Sequence, residues 1–156
     1  MSEKDWAAHH VGAAEHQATK SKDRSTKVGA VIVGPDQEIR STGFNGFPRG
    51  VDDNVEERHE RPLKYLYTEH AERNAIYNAA RIGTALLGST LVLNFCPWPC
   101  TGCARGVIQS GIKRVIGYKN CPFPGKGEQW DEDLAVAKEM LEEAGVEIVY
   151  IEDMEE

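Results

Sequence analysis

Residues 90 to 117 read TLVLNFCPWPCTGCARGVIQSGIKRVIG, and the reading of this stretch decides the fold. Thr90 to Phe95 is an apolar run of strand character, and the Cys-Pro-Trp-Pro at 96 to 99 breaks it. A helical pattern runs from Cys103 to Ser110, Gly111 stops it, and Lys113 to Gly117 is again a strand. Strand, helix, strand in this order is a crossover, which predicts parallel strands with helices covering the sheet.

Working outward, the C-terminal side repeats the unit. Asp131 is placed to cap a helix in which Leu134, Ala137, Leu141 and Ala144 recur at helical spacing, Gly145 ends it, and Val146 to Ile151 is a strand. The acidic residues 152 to 156 are expected to fray. On the N-terminal side, Ala71, Ala75, Ala79 and Ile82 step by helical intervals from about residue 70 to a stop at Gly83. Residues 51 to 66 are charged and aperiodic, which predicts a loop, and a loop of that length is usually functional. Val28 to Val33 and Glu38 to Thr42 flank Gly34-Pro35-Asp36 as a β-hairpin, and a helix over residues 5 to 19 carries Trp6, Val11, Ala14 and Ala18. The sum is an α/β fold in three layers, α/β/α, around a five-stranded mixed sheet, with one domain over residues 1 to 156.

Composition narrows the function classes. With 40% apolar and 28% charged residues, the chain has the make-up of a globular protein that folds by packing a core. A net charge of -7 opposes association with a polyanion, so no nucleic-acid partner is expected. No apolar run is long enough to span a bilayer and the first residues are polar, so the expectation is a cytoplasmic protein without a membrane partner. In a reducing compartment, Cys96, Cys100, Cys103 and Cys121 read as metal ligands or core thiols before they read as disulfides.

His70-Ala71-Glu72 and Pro99-Cys100-Thr101-Gly102-Cys103 together offer one imidazole and two thiolates, a set that zinc accepts with its fourth position left open. Cys100 and Cys103 are three apart at a helix start, where they share a face and the helix dipole favours the thiolate. His70 and Glu72 are two apart and would diverge on a regular helix, so both reach a common metal only if His70 stands at the very start of its helix. A redox pair has no use for His70 or Pro99, and a structural zinc site leaves Glu72 idle. A catalytic zinc site uses every one of these residues. Cys96 and Cys121 are then ordinary core or surface thiols.

The pattern H-x-E followed by P-C-x-x-C is the signature of zinc deaminases, and from about Ser21 to Tyr118 the chain resembles the cytidine and deoxycytidylate deaminase superfamily. His70-Ala71-Glu72-Arg73-Asn74-Ala75-Ile76 is similar to the deoxycytidylate deaminase form of the helix, Gly43 to Gly50 resembles its G-Y-N-G-x-P-x-G loop with Phe44 in place of tyrosine, and Lys27 to Ile32 is similar to its first strand. The resemblance implies a cytidine deaminase-like fold and hydrolysis of dCMP to dUMP with release of ammonia. It implies one catalytic Zn2+ per chain held by His70, Cys100 and Cys103, with Glu72 as the acid and base that moves protons from water to the ring N3 and the leaving ammonia. By the same likeness the backbone of Ala71 reads the pyrimidine O2, Asn45 holds the sugar, Tyr118 walls the base, and the basic loop with Ser21, Lys22 and Arg24 meets the 5′-phosphate. CMP, 5-modified dCMP, a cytidine nucleoside and guanine stay open as substrates, and a non-catalytic protein that binds zinc and nucleotide stays open as another class. Family members are commonly dimers or hexamers, some controlled by dCTP and dTTP, so a homo-oligomer with such effectors is implied. The stretch 120 to 130 matches no family motif and is expected to cover the pocket.

Overall fold

The computed structural model describes residues 1–120 and 128–156, the side chains of 128–131 excepted. Five strands form one sheet in the order β2-β1-β3-β4-β5: β1 Gly29–Val33, β2 Ile39–Phe44, β3 Thr90–Leu93, β4 Arg114–Gly117 and β5 Glu147–Tyr150. β1 runs antiparallel to both β2 and β3, while β3, β4 and β5 are parallel. The mixed sheet therefore follows from one hairpin and three crossovers, through α3, α4 and α5, of which residues 90 to 117 hold the second.

Among the described residues, five α-helices accompany the strands: α1 Glu3–Ala18, the single turn α2 Lys64–Tyr67, α3 Ala71–Ile82, α4 Thr101–Gln109 and α5 Glu128–Glu143. Alternation along the strands sorts the layers. Ala30, Ile32, Leu91, Leu93 and Val115 face Ala75, Ala104, Val107 and Leu141 of α3, α4 and α5. Their neighbours Val31, Val33, Val92 and Ile116 face Ala7, Val11 and Ala14 of α1 on the opposite side. The result is the three-layer α/β/α arrangement, with α1 started by a reciprocal Ser2–Asp5 capping box.

Several boundaries differ from the sequence expectation. β2 runs on through Gly43 and Phe44, because Gly43 is the point where the strand lies directly against α3: a Cβ there would meet the Ala75 nitrogen at 2.5 Å. Residues 51 to 66 contain a 3-10 turn, Glu56–His59, and the start of α2, elements too short for any periodicity to reveal. α5 begins at Glu128, which puts Asp131 in its first turn instead of at its cap; an acidic residue suits either place. The acidic tail does not simply fray. Ile151–Asp153 forms a 3-10 turn, Ile151 is buried, and Glu152 and Asp153 both bind Lys119. The expectations for Cys121 and for most of the stretch 120 to 130 fall on residues 121–127, outside the described residues. Among the described residues no helix is long and apolar enough to cross a membrane.

Candidate metal centre and active site

α3 and α4 start side by side on the same face of the sheet, and their N-termini carry the metal-ligating residues. His70 is the N-cap of α3 with extended backbone, and its ring makes no capping bond. Cys100 is the N-cap of α4, and Cys103 sits in the first turn. The His70 Nδ1 lies 3.3 Å from the Cys100 Sγ and 3.3 Å from the Cys103 Sγ. Tetrahedral zinc with bonds of about 2.3 Å to sulfur and about 2.05 Å to nitrogen places its ligand atoms about 3.5 Å apart. The three residues fit that ion, and among the described residues they are the one such cluster of His, Cys, Asp and Glu.

Two of the three ligand groups hold protons that a metal must displace. A hydrogen bond with Cys100, the largest influence, holds the His70 imidazole protonated, its pKa raised to about 9. Cys100 is drawn down to about 4, first by the Cys103 thiol that donates to it and then by His70. Cys103 is pushed the other way by that same bond and by burial, so it keeps its proton. A metal entering here displaces the protons of His70 and Cys103.

Glu72 occupies the first turn of α3 beside the cluster, with 8% of its surface exposed. Burial pushes its carboxyl above the usual carboxylate range. Placing His70 at the cap resolves the two-residue spacing, because an extended cap residue and a first-turn residue converge where two interior residues would not.

A cavity of about 610 Å3 opens over the cluster. Its wall includes His70, Ala71, Glu72 and Cys100 together with Asn45 from the glycine-rich loop. The Ala71 N–H is among the first donors of α3, which have no acceptor within the helix. Asn45 is 8% exposed, and its amide spans the loop before β1, accepting from the Val28 N–H at 2.9 Å and donating to the Thr26 carbonyl at 2.9 Å.

Four residues anticipated at the substrate are not among the described residues that line this cavity. Ser21 is 2% exposed, and its hydroxyl donates to the Asn45 carbonyl at 2.7 Å. Lys22 pairs with Asp53 at 2.9 Å, and Arg24 pairs with Glu56, so both cations brace the segment after the glycine-rich loop and do not form the cavity wall. Tyr118 follows Ile116 in strand parity, so it packs with the α1 layer, where its hydroxyl donates to Glu15 at 3.4 Å.

In their place the cavity gains Ser25, Thr26, Arg61, Lys64, Trp98 and Asp133. Arg61 donates to the Ser25 hydroxyl at 3.2 Å, and Lys64 is held by Asp23 at 3.2 Å. Trp98 is fixed from behind by the Tyr150 hydroxyl at 2.9 Å and by the Lys138 ammonium 5.0 Å from its ring centre. The length of the charged segment 51 to 66 was a signal for Arg61 and Lys64. Nothing local marks Asp133. Cys96 is a buried thiol of the same wall, pushed up to about 11 by burial, and stays outside the metal cluster.

A His-Cys-Cys metal site at two helix starts on an α/β/α sheet, with a buried glutamate beside it, defines the class of zinc-dependent hydrolytic deaminases. Residues 3–119 match the family model for the cytidine and deoxycytidylate deaminase zinc-binding region. The chain belongs to the cytidine and deoxycytidylate deaminase family. It is 40% identical to the luxG 3′-region deaminase of Aliivibrio fischeri over 94% of this chain and 93% of that protein. It is 36% identical to human deoxycytidylate deaminase over 72% of this chain, a segment that makes up 64% of the human protein. Its fold matches that of the dCMP deaminase from cyanophage S-TIM5, solved in complex with dCMP and dUMP, with a TM-score of 0.72 over 96% of this chain and 98% of that one at 24% identity.

Proposed function

We propose that this protein hydrolyses dCMP to dUMP and ammonia, as one catalytic domain over residues 1 to 156. The observation that carries the reading is the buried Glu72 carboxyl beside three converging zinc ligands at the floor of a cavity of about 610 Å3. Zinc bound by His70, Cys100 and Cys103 supplies Lewis acidity and lowers the pKa of water in its open position. Glu72, with its proton affinity raised by burial, takes the proton that water gives up on attacking the ring C4. It passes that proton to N3, then takes the proton of the new C4 hydroxyl and gives it to the amine, which leaves as ammonia as the C4 carbonyl forms. The Ala71 N–H is the donor for the pyrimidine O2. Asn45 retains one amide proton and one lone pair toward the cavity for the sugar hydroxyl.

The phosphate end is assigned to Arg61, Ser25 and Thr26, with Lys64 behind them. This revises the expectation for Ser21, Lys22 and Arg24, whose polar ends are committed to Asn45, Asp53 and Glu56. Trp98 takes the wall position expected for Tyr118. A cytoplasmic location agrees with the reducing environment that free thiol ligands need. The exposed Tyr77 and Ile82 on α3 support a homo-oligomer.

The decisive experiment is ammonia release from dCMP, CMP, 5-methyl-dCMP, deoxycytidine and guanine by the zinc-loaded protein. Preferred turnover of dCMP is the expected result. Equal turnover of deoxycytidine would overturn the phosphate assignment, and no turnover of any substrate would favour the non-catalytic reading.

A further inference from the structure

α4 has an unusual start. Its N-cap is Cys100, whose sulfur accepts the Cys103 N–H at 3.5 Å, and no acidic residue stands in its first turn. That bond leaves the Thr101 N–H without an acceptor from the cap. The first N–H groups of a helix nonetheless need acceptors, and those of α4 belong to the residues that position both thiol ligands.

The missing acceptor comes from another helix. Asp133, in α5, uses both carboxylate oxygens on one residue: Oδ2 accepts the Thr101 N–H at 3.1 Å and Oδ1 accepts the Thr101 hydroxyl at 2.7 Å. Thr101 directly follows one ligand and stands two residues before the other. Fixing its backbone and its side chain together fixes the rotation of the first turn of α4. That rotation sets where the two sulfurs point relative to His70. The carboxylate also faces the positive end of the α4 dipole, where a negative charge is favoured. Asp133, Thr101 and Cys100 share the wall of the catalytic cavity.

We propose that Asp133 is a positioning residue of the zinc centre, clamping the Cys100–Cys103 turn through Thr101 so that both thiols meet His70 at bonding geometry. The proposal rests on the reading of His70, Cys100 and Cys103 as zinc ligands. Groups hydrogen-bonded directly to a metal ligand typically alter metal affinity by about 10- to 100-fold when removed, and Asp133 acts one residue further out, so the lower end of that range applies.

The test measures zinc transfer from the purified zinc-loaded protein to a colorimetric chelator, together with the cobalt-thiolate absorption of the cobalt-substituted protein. Asp133→Ala is expected to weaken zinc retention by about 10-fold and to shift the cobalt bands. Thr101→Val, which loses the hydroxyl bond and keeps the backbone one, is expected to give a smaller change in the same direction. Thr101→Ser, which keeps both, is expected to match the wild type. Thr101→Val also keeps the proposal testable should Asp133→Ala not fold. If Asp133→Ala and Thr101→Val melt earlier but hold zinc and absorb with cobalt as the wild type does, the role is packing of α5 on α4 and the proposal fails. Wild-type protein that takes up no zinc would instead overturn the ligand reading, and this proposal with it.

Discussion

Lys64 and Asp23 form an ion pair at 3.2 Å in which only 11% and 10% of the two side chains remain exposed. The pair joins the loop before β1 to α2, two segments that both border the catalytic cavity. Removing one partner of a covered pair leaves the other charge without compensation, which for a fully buried pair costs about 3–5 kcal/mol. Because this pair faces an open cavity, Lys64→Met is expected to cost less, about 2–3 kcal/mol, read from the urea midpoint. The pH dependence has a definite sign. Burial alone would raise the Asp23 carboxyl, but the N–H groups of Thr26 and Ser25 and the Lys64 ammonium outweigh it and hold it below the usual 3.8. Its contribution is therefore present above pH 3.8 and lost as the pH falls through the lower folded value. In Lys64→Met this loss in acid is expected to shrink.

Of the cations that line the cavity, Lys64 is paired with Asp23 and Arg73 with Glu69, while Arg61 donates to the neutral Ser25 hydroxyl; Lys22 and Arg24 are spent on Asp53 and Glu56. Arg61→Ala is expected to raise KM for dCMP by about 10- to 100-fold, the range for loss of a hydrogen bond between charged groups, and to leave deoxycytidine turnover nearly unchanged. Lys22→Ala and Arg24→Ala are expected to change KM by less than about threefold, since exposed pairs contribute little. A large KM effect at Lys22 or Arg24 with none at Arg61 would reverse the assignment.

Glu72 can be separated from the metal by one isosteric change. Glu72→Gln keeps the shape of the buried side chain and all three zinc ligands, but it cannot accept the proton of attacking water. Zinc content of about one per chain is expected to persist while kcat falls by at least about 10²- to 10⁴-fold, the contribution typical of a positioned acid and base. Loss of zinc along with activity would mean that the carboxylate holds the site together and does not act on substrate.

The metal centre was legible in the sequence because its geometry is local. His70, Cys100 and Cys103 each stand at a helix start that Pro99, helical spacing and glycine stops had already marked. The layers were legible too, since alternation within five short strands and the crossover at residues 90 to 117 leave few topologies. The proposed phosphate end was not. A run of cations near Lys22 looks like an anion site until Asp53 and Glu56, about thirty residues away, are found to occupy it. Tyr118 is a different case: residue parity past β4 packs it with the α1 layer, and parity depends on where the strand begins. Asp133 was invisible because a carboxylate in an amphipathic helix looks like a solvated one until its helix is docked.

Strand β2 presses directly on the helix that carries His70, and the consequence can be tested with two glycines. A Cβ on Gly43 would stand 2.5 Å from the Ala75 nitrogen and 2.7 Å from the Ala71 carbonyl oxygen, both backbone atoms of α3 that cannot swing aside. Gly43→Ala must therefore lift α3 from β2. Overpacking of this kind typically costs about 1–3 kcal/mol, and backbone contacts put this site at the upper end. Because α3 carries His70 at its cap, the same displacement moves the imidazole away from the two thiols. Zinc retention is therefore expected to fall together with the melting temperature. Gly12, in the middle of α1, has open space where a methyl group would stand, with nothing within 4 Å, so Gly12→Ala should gain about 0.5–1 kcal/mol from helix propensity and leave zinc retention unchanged. Gly43→Ala that melts and binds zinc like the wild type would show that α3 shifts without carrying His70 with it.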